Sequence, residues 1–392
     1  MVVFQLSRLK RIPVFMDLAT GYLVMEEGAE DRRFDTGYDR ANNRLTMLGT
    51  GVLYLVSDRA KALIKLARTG LGCLSIPDLF HLSHDLAKGY SLVIFSRLRQ
   101  AKGDLEPAQQ QLETVQQNAQ AEPVHIEAAQ SRLAACAASV SHWQGVSHAW
   151  RQHLSHLSRI LHPWRLTDST RQTSKAVEEQ WGAELEAIET LLATNGLPAK
   201  KDTLDKVRKP LPGLSALVDC WWQTVRQDLA QMAMTPRWTQ GAEDVLLPLM
   251  YGHEQLRRTR GPGQKAQIAC VLQRVEEAFE RHACTGQLKP EVLADWQAWA
   301  AEHARAFQRA SSAVEGRNGY LSQMQHNHRG LPRRRYPVWT VLHNFDGRAA
   351  DGTTPASRFF RRSFPDLFES VLSQIDALPR PRQRRQAIAA SH

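Results

Sequence analysis

The chain has 392 residues, 43% of them hydrophobic, and a formal charge of +10. That is enough length and apolar content for two domains or one domain with a large insertion, and it excludes a disordered chain. Five scattered cysteines without a C-x-x-C pair exclude a disulfide framework or a cysteine zinc site and suit a reducing cytoplasm. No apolar run approaches the roughly 18 residues that a membrane helix needs. Arg8, Lys10, Arg11 and Asp17 interrupt the N-terminus where a signal peptide has its apolar core, so a soluble, cytoplasmic protein is expected.

Three apolar runs come first: VVFQL (2–6), IPVFMDL (12–18) and YLVMEE (22–27). The second and third read as a β-hairpin, with Gly21 supplying a positive φ in its turn. A helix over 35–48 is stopped by Gly49-Thr50-Gly51 and followed by a buried strand, VLYLV (52–56). A helix over 59–67 and a short run, IPDLFH (76–81), come next. From about His84 the pattern is helical for most of the chain. Two long helices meet near Pro123, with Leu105, Leu112, Ile126, Leu133 and Val140 at or near heptad spacing, which predicts an antiparallel helical hairpin. Further helices are expected over 170–193, 213–233, 240–258, 264–283 and 290–326.

After Leu331 the chain reads as basic and irregular, with a last short helix over 365–372 and a disordered PRPRQRRQ tail. From Arg329 to His392 twelve Arg and no Lys stand against five acids, a balance that suits phosphate contacts and equally a solvated basic tail. Strands at one end and helices through the middle make the expected class α+β or mixed α/β. Nine of the ten tryptophans fall in the helical region; most read as packing residues, one or two as platforms for an unpaired base.

Asp58 stands directly after a buried strand and before a helix, where open α/β sheets place ligands, although a helix cap is the simpler reading of that context alone. Ser312 and Glu315 have capping-box spacing. Residues 291–310 are already strongly helical with no Gly or Pro before Ser311, which weakens the helix-start reading of Glu315, although a kink at Ser311-Ser312 would restart a helix there.

The order β-β-β-α-β ending at Asp58, then a strand carrying Asp78 and His81, a long helical stretch and a helix bearing the lone Glu315 resembles the RNase H-like core of DDE transposases, with a helical insertion as in the hAT and Mutator-like branches. The stretches VEGRNG (314–319), VLHNFDGR (341–348) and DGTTPASRFF (351–360) are similar to bacterial insertion-sequence transposases. The resemblance implies an RNase H-like core in two parts, 1–98 and 301–372, an all-helical insertion over 99–300 and a basic tail over 373–392. It implies DNA cleavage and strand transfer by two-metal phosphoryl transfer, with Mg²⁺ or Mn²⁺ held by Asp58, Glu315 and Asp17, and Asp78 and His81 in support. DNA, as transposon ends and target, is the implied partner, contacted by Arg317, Asn318, His328, Arg329, Arg333, Arg334 and Arg335, and a homodimer is expected. One departure matters: the first strand, VVFQL, carries no carboxylate, and Asp17, at the end of the second strand, is equally a turn residue. N-terminal truncation, and with it an inactive remnant, follows as an expectation. Two other readings stay open: a non-catalytic nucleic-acid-binding protein on the same fold, and a helical scaffold assembled through the 100–160 hairpin.

Overall fold

The computed structural model describes residues 2–6, 13–27, 33–198, 200–232, 235–283, 285–309, 312–327, 335–349 and 351–375. Strands β1 (Val2–Leu6), β2 (Pro13–Asp17) and β3 (Leu23–Glu26) form an antiparallel meander. The turn between β2 and β3 closes through Gly21, whose φ of 76° only glycine adopts freely, and through its N–H to the Asp17 carbonyl at 2.8 Å. Helix α1 (Phe34–Leu48) ends on Gly49 in the left-handed conformation. Strands β4 (Tyr54–Ser57) and β5 (Leu74–Pro77) then pair with each other in parallel across α2 (Lys61–Lys65) and a wide helical turn to Gly70.

These strands stand near the positions that the sequence predicts, but they do not make the expected fold class. The α+β or mixed α/β, RNase H-like core with a sheet of several strands is replaced by a mainly helical protein, 74% helix, in which the strands are confined to small separate sheets. Each strand is only four or five residues long, and although β1 lies beside β4 no hydrogen-bonded ladder joins them among the described residues. Residues 78–81 are also not in a strand. Asp78 is the N-cap of a 39-residue helix, α3 (Leu79–Gln117), so a short apolar run that reads as a strand is in fact a strand end running straight into a helix start.

Helix α3 packs antiparallel on α4 (Pro123–Ile160), which opens on Pro123 as predicted. The chain continues through α5 (Ser174–Thr194), α6 (Lys201–Arg208), α7 (Leu211–Gln231), α8 (Pro236–Gly241), α9 (Leu247–Arg258), α10 (Pro262–Arg281) and α11 (Pro290–Ala306). Helix α7 shows why this region is helical: Leu211, Leu214, Val218, Trp221, Trp222, Val225 and Leu229 recur every three or four residues and are all buried. Trp221 and Trp222 meet Trp164 with ring centroids 4.9–5.3 Å apart, and Tyr251 and Phe307 complete the cluster. Trp221 Nε1 donates to the His303 carbonyl at 2.9 Å and Trp150 Nε1 to Ser91 Oγ at 2.9 Å.

The predicted helix over 290–326 is two helices. After α11 the chain leaves helical geometry at Phe307, whose ring is buried in the aromatic cluster, and α12 (Ser312–Asn327) starts anew. The stretch expected to be irregular contains α13 (Arg335–Phe345) and α14 (Pro355–Phe360), before α15 (Leu367–Leu372). These last elements clasp the β2–β3 hairpin. The Asn344 amide accepts from Leu23 N–H at 2.8 Å and donates to the Leu23 carbonyl at 2.9 Å, so one side chain serves as a strand partner for the edge of β3. His343 Nε2 reaches the Gly21 carbonyl at 2.9 Å, Arg358 donates twice to the Thr20 carbonyl, and Tyr22 stacks on Phe359 at 4.5 Å. The VLHNFDGR and DGTTPASRFF stretches thus hold the N-terminal hairpin in place.

Candidate functional site

Asp58 follows β4 at a sharp corner. Its Oδ1 accepts from Ala60 N–H at 3.0 Å, and Arg59 between them has a φ of 67°, a left-handed conformation that costs a non-glycine residue about 1 kcal/mol or more. Arg59 Nη1 donates to the Lys206 carbonyl at 3.0 Å and anchors the corner. The strain therefore sits directly beside the carboxylate at the end of the parallel strand pair.

Asp78, the residue after β5, is buried, and its Oδ1 accepts from Phe80 N–H at 2.7 Å as the cap of α3. Its Oδ2 lies 3.3 Å from His81 Nδ1, one helical turn on. The His81 imidazole is held above the ordinary histidine range chiefly by Asp78, against its partial burial, with Asp58 and Glu315 adding to the same effect. Three carboxylates separated by up to 257 positions thus act on one imidazole. Phe80, 60% exposed, stands at the edge of this group with its ring 5.9 Å from His84 in a stacked arrangement.

Glu315 is exposed in the first turn of α12. Because a helix does begin at Ser312, the premise that weakened a helix-start role for Glu315 fails, and a carboxylate at that end also favours the helix dipole. The chain before it is tied to α3: the Arg309 carbonyl accepts from Leu79 N–H, at the first residue of α3, at 3.2 Å.

The other expected residues have different roles. Asp17 is buried at the end of β2 with Oδ2 accepting from both the Thr20 backbone and hydroxyl, the turn-closing role that its position also suggested. Arg317 does not face solvent. It forms a bidentate pair with Glu26 of β3 at 2.6 and 2.9 Å, donates to the Trp339 carbonyl at 3.3 Å, and covers the Tyr320 ring. Asn318 is buried, with Oδ1 lacking a hydrogen-bond partner. Arg335 is exposed at the start of α13, and His328, Arg329, Arg333 and Arg334 lie outside the described residues. Sequence reasoning missed Glu26, Phe80 and Arg59. Only Phe80 carried a signal, an aromatic side chain between two residues already singled out.

The donor chemistry of Asp58, Asp78 and Glu315 is that of a hard divalent cation site. Among the described residues no three His, Cys, Asp or Glu side chains stand close enough together to hold an ion as arranged. A testable consequence concerns His81. Its raised pKa contributes stability that is fully present below about pH 6.5 and is lost as pH rises through the folded value. Replacing Asp78 by Asn, which also caps helices well, lowers the His81 pKa towards 6.5 in an NMR titration and leaves α3 intact; an unchanged titration rules Asp78 out as the cause.

Among the described residues no helix is long and apolar enough to cross a membrane. Residues 242–387 match a family described as a family of unknown function (DUF6399). No curated protein and no solved structure matches the chain.

Proposed function

We propose that this protein acts on DNA as a metal-dependent phosphoryl transferase of the DDE transposase type, cleaving strands and transferring them, in the cytoplasm. The observation that carries the reading is that the parallel strands β4 and β5 end side by side, with Asp78 N–H on the Ser57 carbonyl at 3.0 Å, so that Asp58 and Asp78 follow neighbouring strand ends and Asp78 Oδ2 lies 3.3 Å from His81 Nδ1. Carboxylates at the carboxyl ends of parallel strands stand where ligands are usually bound. Asp58 and Glu315 would hold Mg²⁺ or Mn²⁺, which supplies Lewis-acid stabilisation of the phosphoryl oxygens when bound. The rest of the chemistry belongs to the chain. Asp78 orients His81 and favours its protonated form, so His81 can present an N–H to a phosphate oxygen or hand a proton to a leaving oxygen. Phe80 offers an exposed ring for a base displaced from its stack.

A non-catalytic, nucleic-acid-binding protein is the second reading, favoured by the first strand, VVFQL, which carries no carboxylate. Supercoiled plasmid separates the two. Under the first reading the full chain produces nicked circles with Mg²⁺ or Mn²⁺, none with a chelator, and none above background as Asp58→Asn. Salt-sensitive DNA binding without nicking in any divalent metal selects the second. Nicking that persists in Asp58→Asn removes the assigned site.

A further inference from the structure

A second polar centre lies on the other flank of Arg309. A cavity of about 350 Å³, within the usual range for small-ligand pockets, is lined by Arg159, Arg258, Arg260 and Arg309 together with Gln255 and Gln264. No carboxylate lines it among the described residues. The nearest acid in contact with these arginines, Glu254, is already engaged by Arg257 at 2.7 Å and Arg258 at 2.6 Å, which leaves a surplus of positive charge.

Arg309 has no carboxylate partner among the described residues. Its Nη1 donates to the Ser158 carbonyl and, at 2.7 Å, to His162 Nε2; His162 Nδ1 in turn meets Tyr251 Oη at 2.6 Å. An imidazole that accepts from a guanidinium must be neutral. Burial and the nearby Arg309, Arg258 and Arg159 indeed hold His162 well below the ordinary histidine range. The Tyr251–His162 pair therefore fixes the Arg309 fork, and no hydrogen bond engages Nε or Nη2 among the described residues. Gly261, the N-cap of the 20-residue α10, also lines the cavity, so the positive end of that helix adds to the field.

We infer that this cavity is a binding site for a phosphate group, received by Arg309 at its inner wall and by Arg159 and Arg260 at its rim, while Arg258, whose three guanidinium nitrogens donate to Glu254 and to the Phe307 and Arg305 carbonyls, adds positive charge. Guanidinium forks match phosphate oxygens in pairs, which lysines do not. The phosphate is either free inorganic phosphate or the end of a nucleic-acid strand. The inference does not rest on the carboxylate reading, and Asp58→Asn leaves phosphate binding unchanged.

Calorimetric titration of the full chain with inorganic phosphate, at ionic strength matched with chloride, tests it. Saturable binding is expected, weakened about tenfold or more in the rim variant Arg159→Gln/Arg260→Gln. Arg260 is exposed and the Arg159 side chain donates to Gln267 at an exposed site, so that variant keeps the buried His162–Tyr251 pair and stays folded, as circular dichroism checks. Arg309→Lys, which keeps the charge and loses the fork, weakens binding as well. Single-stranded oligonucleotides with a 5′-phosphate or a 5′-hydroxyl identify the source. Tighter binding of the phosphorylated strand than of inorganic phosphate assigns a strand end, and equal binding assigns free phosphate. No phosphate binding beyond chloride, or equal binding by the rim variant, overturns the site.

Discussion

Arg317→Ala lowers the unfolding free energy by about 3–5 kcal/mol, read as a shift of the urea midpoint, because it strands the Glu26 carboxylate without its partner. The Glu26 side chain is fully buried and the Arg317 side chain nearly so, and both guanidinium–carboxylate hydrogen bonds are short. Breaking a buried pair from one side costs far more than the pair contributes, since the remaining charge keeps its desolvation penalty. The double variant Glu26→Leu/Arg317→Met removes both charges and recovers most of the loss. The effect also changes little between low and high salt, as expected of a pair shielded from solvent ions. If Arg317→Ala instead keeps wild-type stability and loses DNA affinity, the residue is a DNA contact and the pair with Glu26 is incidental.

That pair illustrates how far the sequence could be read. Residues with a local cause were legible: Gly21 in a left-handed turn, Gly49 ending α1, Pro123 starting α4, and the spacing of apolar residues along α7. Properties settled by distant partners were not. Glu26 and Arg317 are 291 positions apart, and nothing local distinguishes them from any exposed Glu and Arg. The break between α11 and α12 has no Gly or Pro to mark it. It follows from burial of Phe307 against Trp221 and Tyr251, and from the Arg309 carbonyl meeting Leu79 N–H. The strands could be located by their β-branched and aromatic residues, but sheet assembly depends on pairing between segments, and four-residue strands leave little pattern to specify it. For the site, Asp58, Asp78, His81 and Glu315 were brought forward by resemblance as much as by local context. Their shared neighbourhood rests on folded geometry that no spacing rule contains.

The proposed chemistry makes the two carboxylates nearest opposite ends of this group separable. Glu315→Gln lowers metal-dependent DNA cleavage by about 10³-fold, and Asp78→Asn by about 10- to 100-fold. Glu315 is exposed, and Gln keeps its shape while removing the charge that a cation needs, so the loss falls on the chemical step. Asp78 acts through its neighbours: Oδ1 caps α3, a task that Asn performs, while Oδ2 sets the charge of His81, a task that Asn cannot perform. Asp78→Asn therefore shifts the high-pH limb of the single-turnover cleavage rate towards lower pH, following the His81 pKa down, whereas Glu315→Gln depresses the rate at every pH. Wild-type cleavage by Glu315→Gln removes that carboxylate from the chemistry and leaves it a role at the first turn of α12, beside the positive end of the helix dipole.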